Sequence, residues 1–186
     1  MAADAKVWVV TGASRGIGAA IATVAAEARG LGNPGMVWLT YALGALSVRL
    51  FGATLPERVG PSKIAALALV CYSLSFFLAA EATDVAGFAW SGLCAGIGHG
   101  YCFPVLSGQV ISRSPEALRG TAMSAFTGLW GLTRLVLAPA FGLVADAAGD
   151  SVMLRCAGLY GLLGLVLWAW LEARWGDAER PRVVGV

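Results

Sequence analysis

Charge is what this chain has least of. Only 13% of its residues are Asp, Glu, Lys or Arg, against 58% apolar, whereas an ordinary soluble domain carries about 25% charged residues. So few charges cannot cover the surface of a soluble fold of 186 residues, and lipid is the natural solvent for the excess apolar area. The net charge of +2 comes without a basic run, which excludes a phosphate-binding patch and, with it, nucleic acid as a partner. Cysteine is sparse too. Cys71, Cys94, Cys102 and Cys156 all fall inside apolar segments and none forms a C-x-x-C pair, so metal and redox frameworks have no support and buried free thiols are expected. A clean secretory leader is also missing, because Lys6 is followed by a stretch that Arg15 interrupts.

Long apolar runs, by contrast, are plentiful. They fall at about 36–51, 64–80, 85–111, 121–145 and 152–172, and each can cross most or all of a hydrocarbon layer, which takes roughly 20 helical residues. The connections between them alternate in charge. Arg58 and Lys63 follow the first run, Arg113 and Arg119 the third, and Arg174, Arg180 and Arg182 the fifth. Glu81 and Asp84 lie after the second, and Asp146 and Asp150 after the fourth. Basic loops belong on the cytoplasmic face, so the pattern predicts five crossings with the C-terminus in the cytoplasm. Trp38, Trp168, Trp170 and Trp175 sit near the ends of these spans, where aromatic belts form.

The first 30 residues read differently. A β-favouring run at 7–10 leads into Thr11-Gly12-Ala13-Ser14-Arg15-Gly16-Ile17-Gly18 and then a helix-forming stretch at 19–29. Strand, glycine turn and helix is the arrangement that brings backbone N–H groups to a pyrophosphate. The stretch resembles the opening turn of short-chain dehydrogenases/reductases. That resemblance implies an NAD or NADP site lined by Gly12, Ser14, Arg15, Ile17 and Gly18. It ends near residue 30. No Tyr-x-x-x-Lys pair follows, since Tyr41, Tyr72, Tyr101 and Tyr160 all lack a lysine four residues on. One strand and one helix cannot bury a core, so 1–30 reads as a dehydrogenase-like stub and 31–35, with Pro34 and Gly35, as a linker.

Beyond the linker, Arg49-Leu-Phe-Gly52-Ala-Thr-Leu-Pro56-Glu57-Arg58-Val-Gly60 resembles the loop between helices eight and nine of major facilitator superfamily transporters. Glu57 stands where that loop more often has Asp, and Ala53 takes a usual glycine place. Gly96-Ile-Gly98-His99-Gly100-Tyr101-Cys-Phe103-Pro104 is similar to the glycine-rich tenth helix of sugar- and drug-efflux members. Arg119-Gly120-Thr121-Ala122, with Pro139 and Gly142, fits the helix after it. The likeness covers 36–175 and implies helices eight through twelve of a two-half, twelve-helix carrier. It implies a gating loop of Arg49, Gly52, Glu57, Arg58, Gly60 and Lys63, in which Glu57 and Arg58 pair with helix ends to hold a cytoplasmic gate; the residues alone read equally as a tight turn anchored at the headgroups by Arg49, Arg58 and Lys63.

Three of the polar residues inside the spans are candidates for a solute or proton path. His99, the single histidine, is a candidate proton carrier, or a neutral ring bonded to a neighbouring helix. Arg134 is too deep to snorkel and should face a wet cavity, where it meets either an anionic substrate group or a buried partner. Trp130 shares its helical face, and Gln109 could add a polar contact or sit near the cytoplasmic interface. Gly92, Gly96, Gly100 and Gly108 recur at fours and eights, and Gly158, Gly161 and Gly164 at threes, spacings that let helices pack closely.

The expectation is therefore an all-α integral membrane bundle of five helices, or six if 7–26 inserts despite Arg15, followed by a tail at 176–186. It would reside in the cytoplasmic (cell inner) membrane. It would be no enzyme and hold no metal or cofactor, and would move a small solute as half of an efflux carrier, completed by a second half or a homodimer. The alternatives are an oxidoreductase fragment and a truncated or fused membrane protein that does not transport. Reporter fusions after Lys63 and at the C-terminus should score cytoplasmic and one after Asp84 external; cytoplasmic scores for all three would remove the membrane reading.

Overall fold

Hydrocarbon offers a backbone no hydrogen bonds, so a chain this apolar satisfies its peptide groups within helices. The computed structural model describes residues 17–30, 33 and 35–175, and among these there are helices and no strand. In chain order they are α1 (Ile17–Ala28), α2 (Gly35–Phe51), the short α3 (Leu55–Val59), α4 (Pro61–Glu81), α5 (Val85–Arg113), a 3-10 turn (Glu116–Leu118), α6 (Arg119–Ala148) and α7 (Asp150–Trp175). The five spans expected from the sequence agree with α2, α4, α5, α6 and α7 to within three residues at every end. Pro61–Glu81, Glu116–Ala148 and Asp150–Arg174 are long and apolar enough to cross a membrane, and Gly35–Phe51 is a shorter apolar helix. In α5, Gly87, Gly92, Gly96, Gly98, Gly100 and Gly108 dilute the apolar character, and four of them, Gly92, Gly96, Gly98 and Gly100, serve packing against α2 and α4.

α5 is the axis of the bundle, with α2 on one face and α4 on another. The contact with α2 is backbone on backbone. A Cβ built on Gly44 would lie 2.5 Å from the Leu93 carbonyl oxygen, one on Gly92 2.5 Å from that of Val37, and one on Gly96 would overlap that of Tyr41. Gly98 does the same toward α4, where a Cβ would come within 2.9 Å of the Ala68 oxygen and 3.0 Å of Tyr72. Gly108, although in phase with the others, faces open space. On α7, Gly158 and Gly161 let the helix close on Phe77 and Ser73 of α4. α6 is packed least, and none of its residues is fully buried.

Two apolar cores form. One lies toward the acidic connections and joins Ala79, Phe88 and Leu154 with Ala22, Ala25 and Ala26 of α1. The other lies toward the basic connections and joins Val48, Ile64, Ala68, Tyr101 and Val105.

The role of α1 corrects the expectation for the first 30 residues. The strand at 7–10 and Gly12, Ser14 and Arg15 lie outside the described residues, while Ile17 and Gly18 open α1. Its alanine face is buried in the helical bundle rather than laid on a sheet. Gly30, with φ of 69°, ends the helix by returning its N–H to the Glu27 carbonyl at 2.9 Å. Arg29 then donates to the carbonyls of Ala79 and Ala80 at 3.1 Å each, to that of Ala82, and to Ser151 Oγ at 2.8 Å. These are the end carbonyls of α4, where a cation meets the negative end of the helix dipole. Its guanidinium also stands 5.3 Å from the Phe88 ring centroid. A face engaged in this way cannot also pack against a nucleotide-binding sheet.

Replacing Gly96 by Leu should force α2 off α5 and destabilise the bundle by about 1–3 kcal/mol or more, whereas Gly108→Leu should be tolerated. Thermal unfolding in detergent checks this, and equal midpoints for the two variants would refute the packing account.

Candidate functional site

A cavity of about 390 Å³ lies between α4, α5, α6 and α7. Its α6 wall is the half-buried stripe Phe126, Trp130, Thr133, Arg134, Leu137 and Phe141, residues three or four apart that share one helical face. Leu69, Tyr72 and Phe76 of α4 stand opposite, and Cys102 of α5 and Tyr160 of α7 also face the cavity. Six of the lining residues are aromatic, and Phe126–Trp130 and Phe141–Tyr160 meet edge to face. Trp130 meets Phe126 at 5.7 Å and Phe103 at 5.7 Å, and Phe141 meets Tyr160 at 6.3 Å, separations typical of favourable ring pairs.

Arg134 is the one basic residue of this lining, and none of the lining residues is acidic. It follows Arg119 by fifteen residues and precedes Ala148 by fourteen, which at ~1.5 Å per residue puts it near the helix midpoint. Its guanidinium stands 5.7 Å from the Trp130 ring centroid, within reach of a cation–π interaction.

The residues expected to share a solute path are thus only partly brought together. Trp130 and Arg134 line the cavity. His99 does not; its ring lies 5.8 Å from Tyr41 and 6.4 Å from Tyr72, so it adjoins the cavity through Tyr72. Gln109 is 7% exposed near the end of α5, and neither amide atom has a hydrogen-bond partner. Sequence reasoning missed Tyr72, Phe126, Phe141 and Tyr160. The signal for two of them was present: Phe126, Trp130, Arg134 and Phe141 recur at helical spacing.

The loop at 49–63 is built around two glycines. Gly52 approaches α5 so closely that a Cβ would overlap the Tyr101 hydroxyl, which donates to the Gly52 carbonyl at 3.2 Å. Gly60 has φ of 107°, donates to Pro56 at 3.0 Å and accepts from Ile64 at 3.2 Å, joining α3 to α4. Arg49, Glu57, Arg58 and Lys63 are exposed and make no ion pair among the described residues. Glu57 stands in the first turn of α3 and Arg58 in its last. The clamp at this end is made by Glu172 of α7, which accepts from Ser62 Oγ at 2.5 Å and from Arg113 at 3.2 Å. Trp168 Nε1 reaches the Ser62 carbonyl at 3.4 Å. At the opposite end Arg155 pairs with Glu81 at 2.7 Å.

A family model described as Major Facilitator Superfamily matches residues 7–184. The chain belongs to the major facilitator superfamily. An uncharacterized MFS-type transporter of Salmonella typhimurium (strain LT2) is similar, 25% identical over 132 residues that make up 71% of this chain and 34% of that relative. The chain thus spans about a third of the length of that relative. No solved structure matches it.

Membership makes this a multi-pass membrane protein of a transporter family and not an enzyme. The match begins at residue 7 and takes in the glycine turn, so the dehydrogenase resemblance of 1–30 has no support beyond that short pattern. In the loop at 49–63, Gly60→Ala should cost about 1–3 kcal/mol through its positive-φ backbone. A lowered unfolding midpoint for Gly60→Ala, with Ala53→Gly near wild type, is the expected result; an unchanged midpoint would show that the turn readily adopts another conformation.

Proposed function

We propose that the chain is the C-terminal helical half of a major facilitator carrier and moves a small solute by alternating access, in the direction of efflux. The observation that carries this reading is the aromatic cavity with Arg134 at mid-membrane depth, since an ionisable residue inside a span marks a solute or ion path by default. The exposed leucines of α6, Leu129, Leu132, Leu135 and Leu143, offer a broad apolar face to a second half or to a second copy of the chain. α1 serves as the first helix of the bundle, 36–175 as the remainder and 176–186 as a tail. The basic ends and the C-terminus lie in the cytoplasm of a plasma-membrane protein, and the mechanism calls for no cofactor.

In this reading the loop at 49–63 gates the cytoplasmic side. Glu57 and Arg58, exposed here, engage helix ends when the gate closes, and a two-state gate shifts with any change in their differential contacts. His99 beside Tyr72 supplies a titratable group next to the path, a place from which a proton can couple to movement.

Cys102 lines the cavity and is 7% exposed, which makes it a reporter of access. With Cys71, Cys94 and Cys156 replaced by Ser, a membrane-impermeant thiol reagent should label Cys102 from either side of native membrane vesicles. Glu57→Gln should change the ratio of inside to outside labelling severalfold without loss of insertion. Labelling from one side only, or from neither, would sink alternating access; an unmoved ratio would sink the gate role of Glu57.

A further inference from the structure

We propose that Gln109, near the basic end of α5, receives the gate: when the loop at 49–63 closes, the Gln109 side-chain amide takes up Glu57 and Arg58 together. The inference rests on the gating role of that loop and names the helix end that its charges meet.

Gln109 is a polar side chain in an apolar place. Ser73, Ser75 and Ser91 are buried as well, and each donates its hydroxyl to a backbone carbonyl at 2.7–2.9 Å. Gln109 differs. It is 7% exposed, and neither Nε2 nor Oε1 has a hydrogen-bond partner among the described residues. Its own carbonyl accepts from Ser112 Oγ at 3.1 Å, so the side chain alone is unpaired. A buried donor or acceptor without a partner carries its full desolvation cost, which an apolar side chain of the same shape avoids. An amide kept at such a site marks a place that polar groups reach in another arrangement of the chain.

The fold puts this amide beside the loop. α4 and α5 are antiparallel, and their contacts advance turn by turn. Ser91 meets Ser75, Gly98 sits against Ala68, and Val105 shares a core with Ile64 and Ala65. One more turn along α5 brings Gln109 level with the start of α4, where Gly60 joins it to α3. Leu55 of α3 packs on the same core. α3 is five residues long and hangs between two glycines, Gly52 and Gly60, so it can turn without distorting α2 or α4. Chemistry matches the two sides. An amide has a donor and an acceptor, whereas a carboxylate only accepts and a guanidinium only donates. Glu57 and Arg58 are adjacent, exposed and in no ion pair among the described residues. Nε2 donating to Glu57 while Oε1 accepts from Arg58 satisfies every group, and both bonds are charge-assisted.

Two measurements on the full chain in native membrane vesicles test this. The first labels single-Cys102 protein from the inside and from the outside with the impermeant thiol reagent. Gln109→Leu keeps the space filled with an apolar side chain and removes the receiver. It should shift the ratio of inside to outside labelling severalfold toward the inside, as Glu57→Gln does, because the closed gate loses its contact. The double variant should shift it no further than the larger single shift, since both changes remove one interaction. The second measurement joins the two places directly. With Cys71, Cys94, Cys102 and Cys156 replaced by Ser, Glu57→Cys and Gln109→Cys should form a disulfide on oxidation with copper phenanthroline, read by mass spectrometry of the digested chain. Lys63→Cys, exposed on the first turn of α4, should not link to Gln109→Cys. Additive shifts, a ratio unmoved by Gln109→Leu, or no disulfide between positions 57 and 109 would overturn the proposal. A ratio moved by Glu57→Gln and not by Gln109→Leu sinks this inference and keeps the gate, whereas a ratio that neither variant moves sinks the gate as well.

Discussion

The approach of α2 and α4 to the two faces of α5 is the contact on which the remaining geometry depends. Helices in lipid gain little from apolar burial against each other, because lipid tails are as apolar as leucine, so close van der Waals packing through small residues carries the association. Gly44, Gly92 and Gly96 bring α2 down to backbone contact, and Gly98 lets α4 settle with Tyr72 against α5. That seating puts Tyr72, Phe76 and Cys102 on one side of the cavity. A side chain at any of these glycines would displace the wall as well as loosen the bundle.

Polar contacts finish what glycine begins, and they gather at the helix ends. Glu172 ties α7 to the start of α4 and to the end of α5, while Arg155 and Arg29 tie the other end of α4. Exposed ion pairs contribute little stability, but they set which helices stay in register. α4 and α7 are therefore held at both ends. α6, which carries Arg134 and Trp130, has no fully buried residue. Mobile elements come from the less stable end of a fold, so α6 is the wall of the cavity with most freedom to move.

Much of the fold was legible because the bilayer constrains it so heavily. Span limits follow from length and hydropathy, and the alternation of Arg and Lys with Asp and Glu at the connections follows from charge alone. The first 30 residues were not legible, for a local reason. Glycine and alanine spaced to let a backbone approach a phosphate look the same as glycine and alanine spaced to let helices approach each other. Ala22, Ala25 and Ala26 turn out to serve the second purpose. The site was half legible. Arg134 and Trp130 declare themselves as a charge and a large ring in one apolar helix, whereas Tyr72 and Tyr160 are ordinary members of their own helices until the fold aligns them.

The sequence by itself determined that the chain is helical, that it lives in a membrane, and where its long helices start and stop. Those properties depend on one segment at a time. Only the tertiary structure decided that α1 joins the bundle through Arg29, that Glu172 ties α7 to Ser62 and Arg113, and that His99 adjoins the cavity without lining it. Each of these turns on the distance between helices far apart in the chain, which is set by packing and is absent from any local pattern.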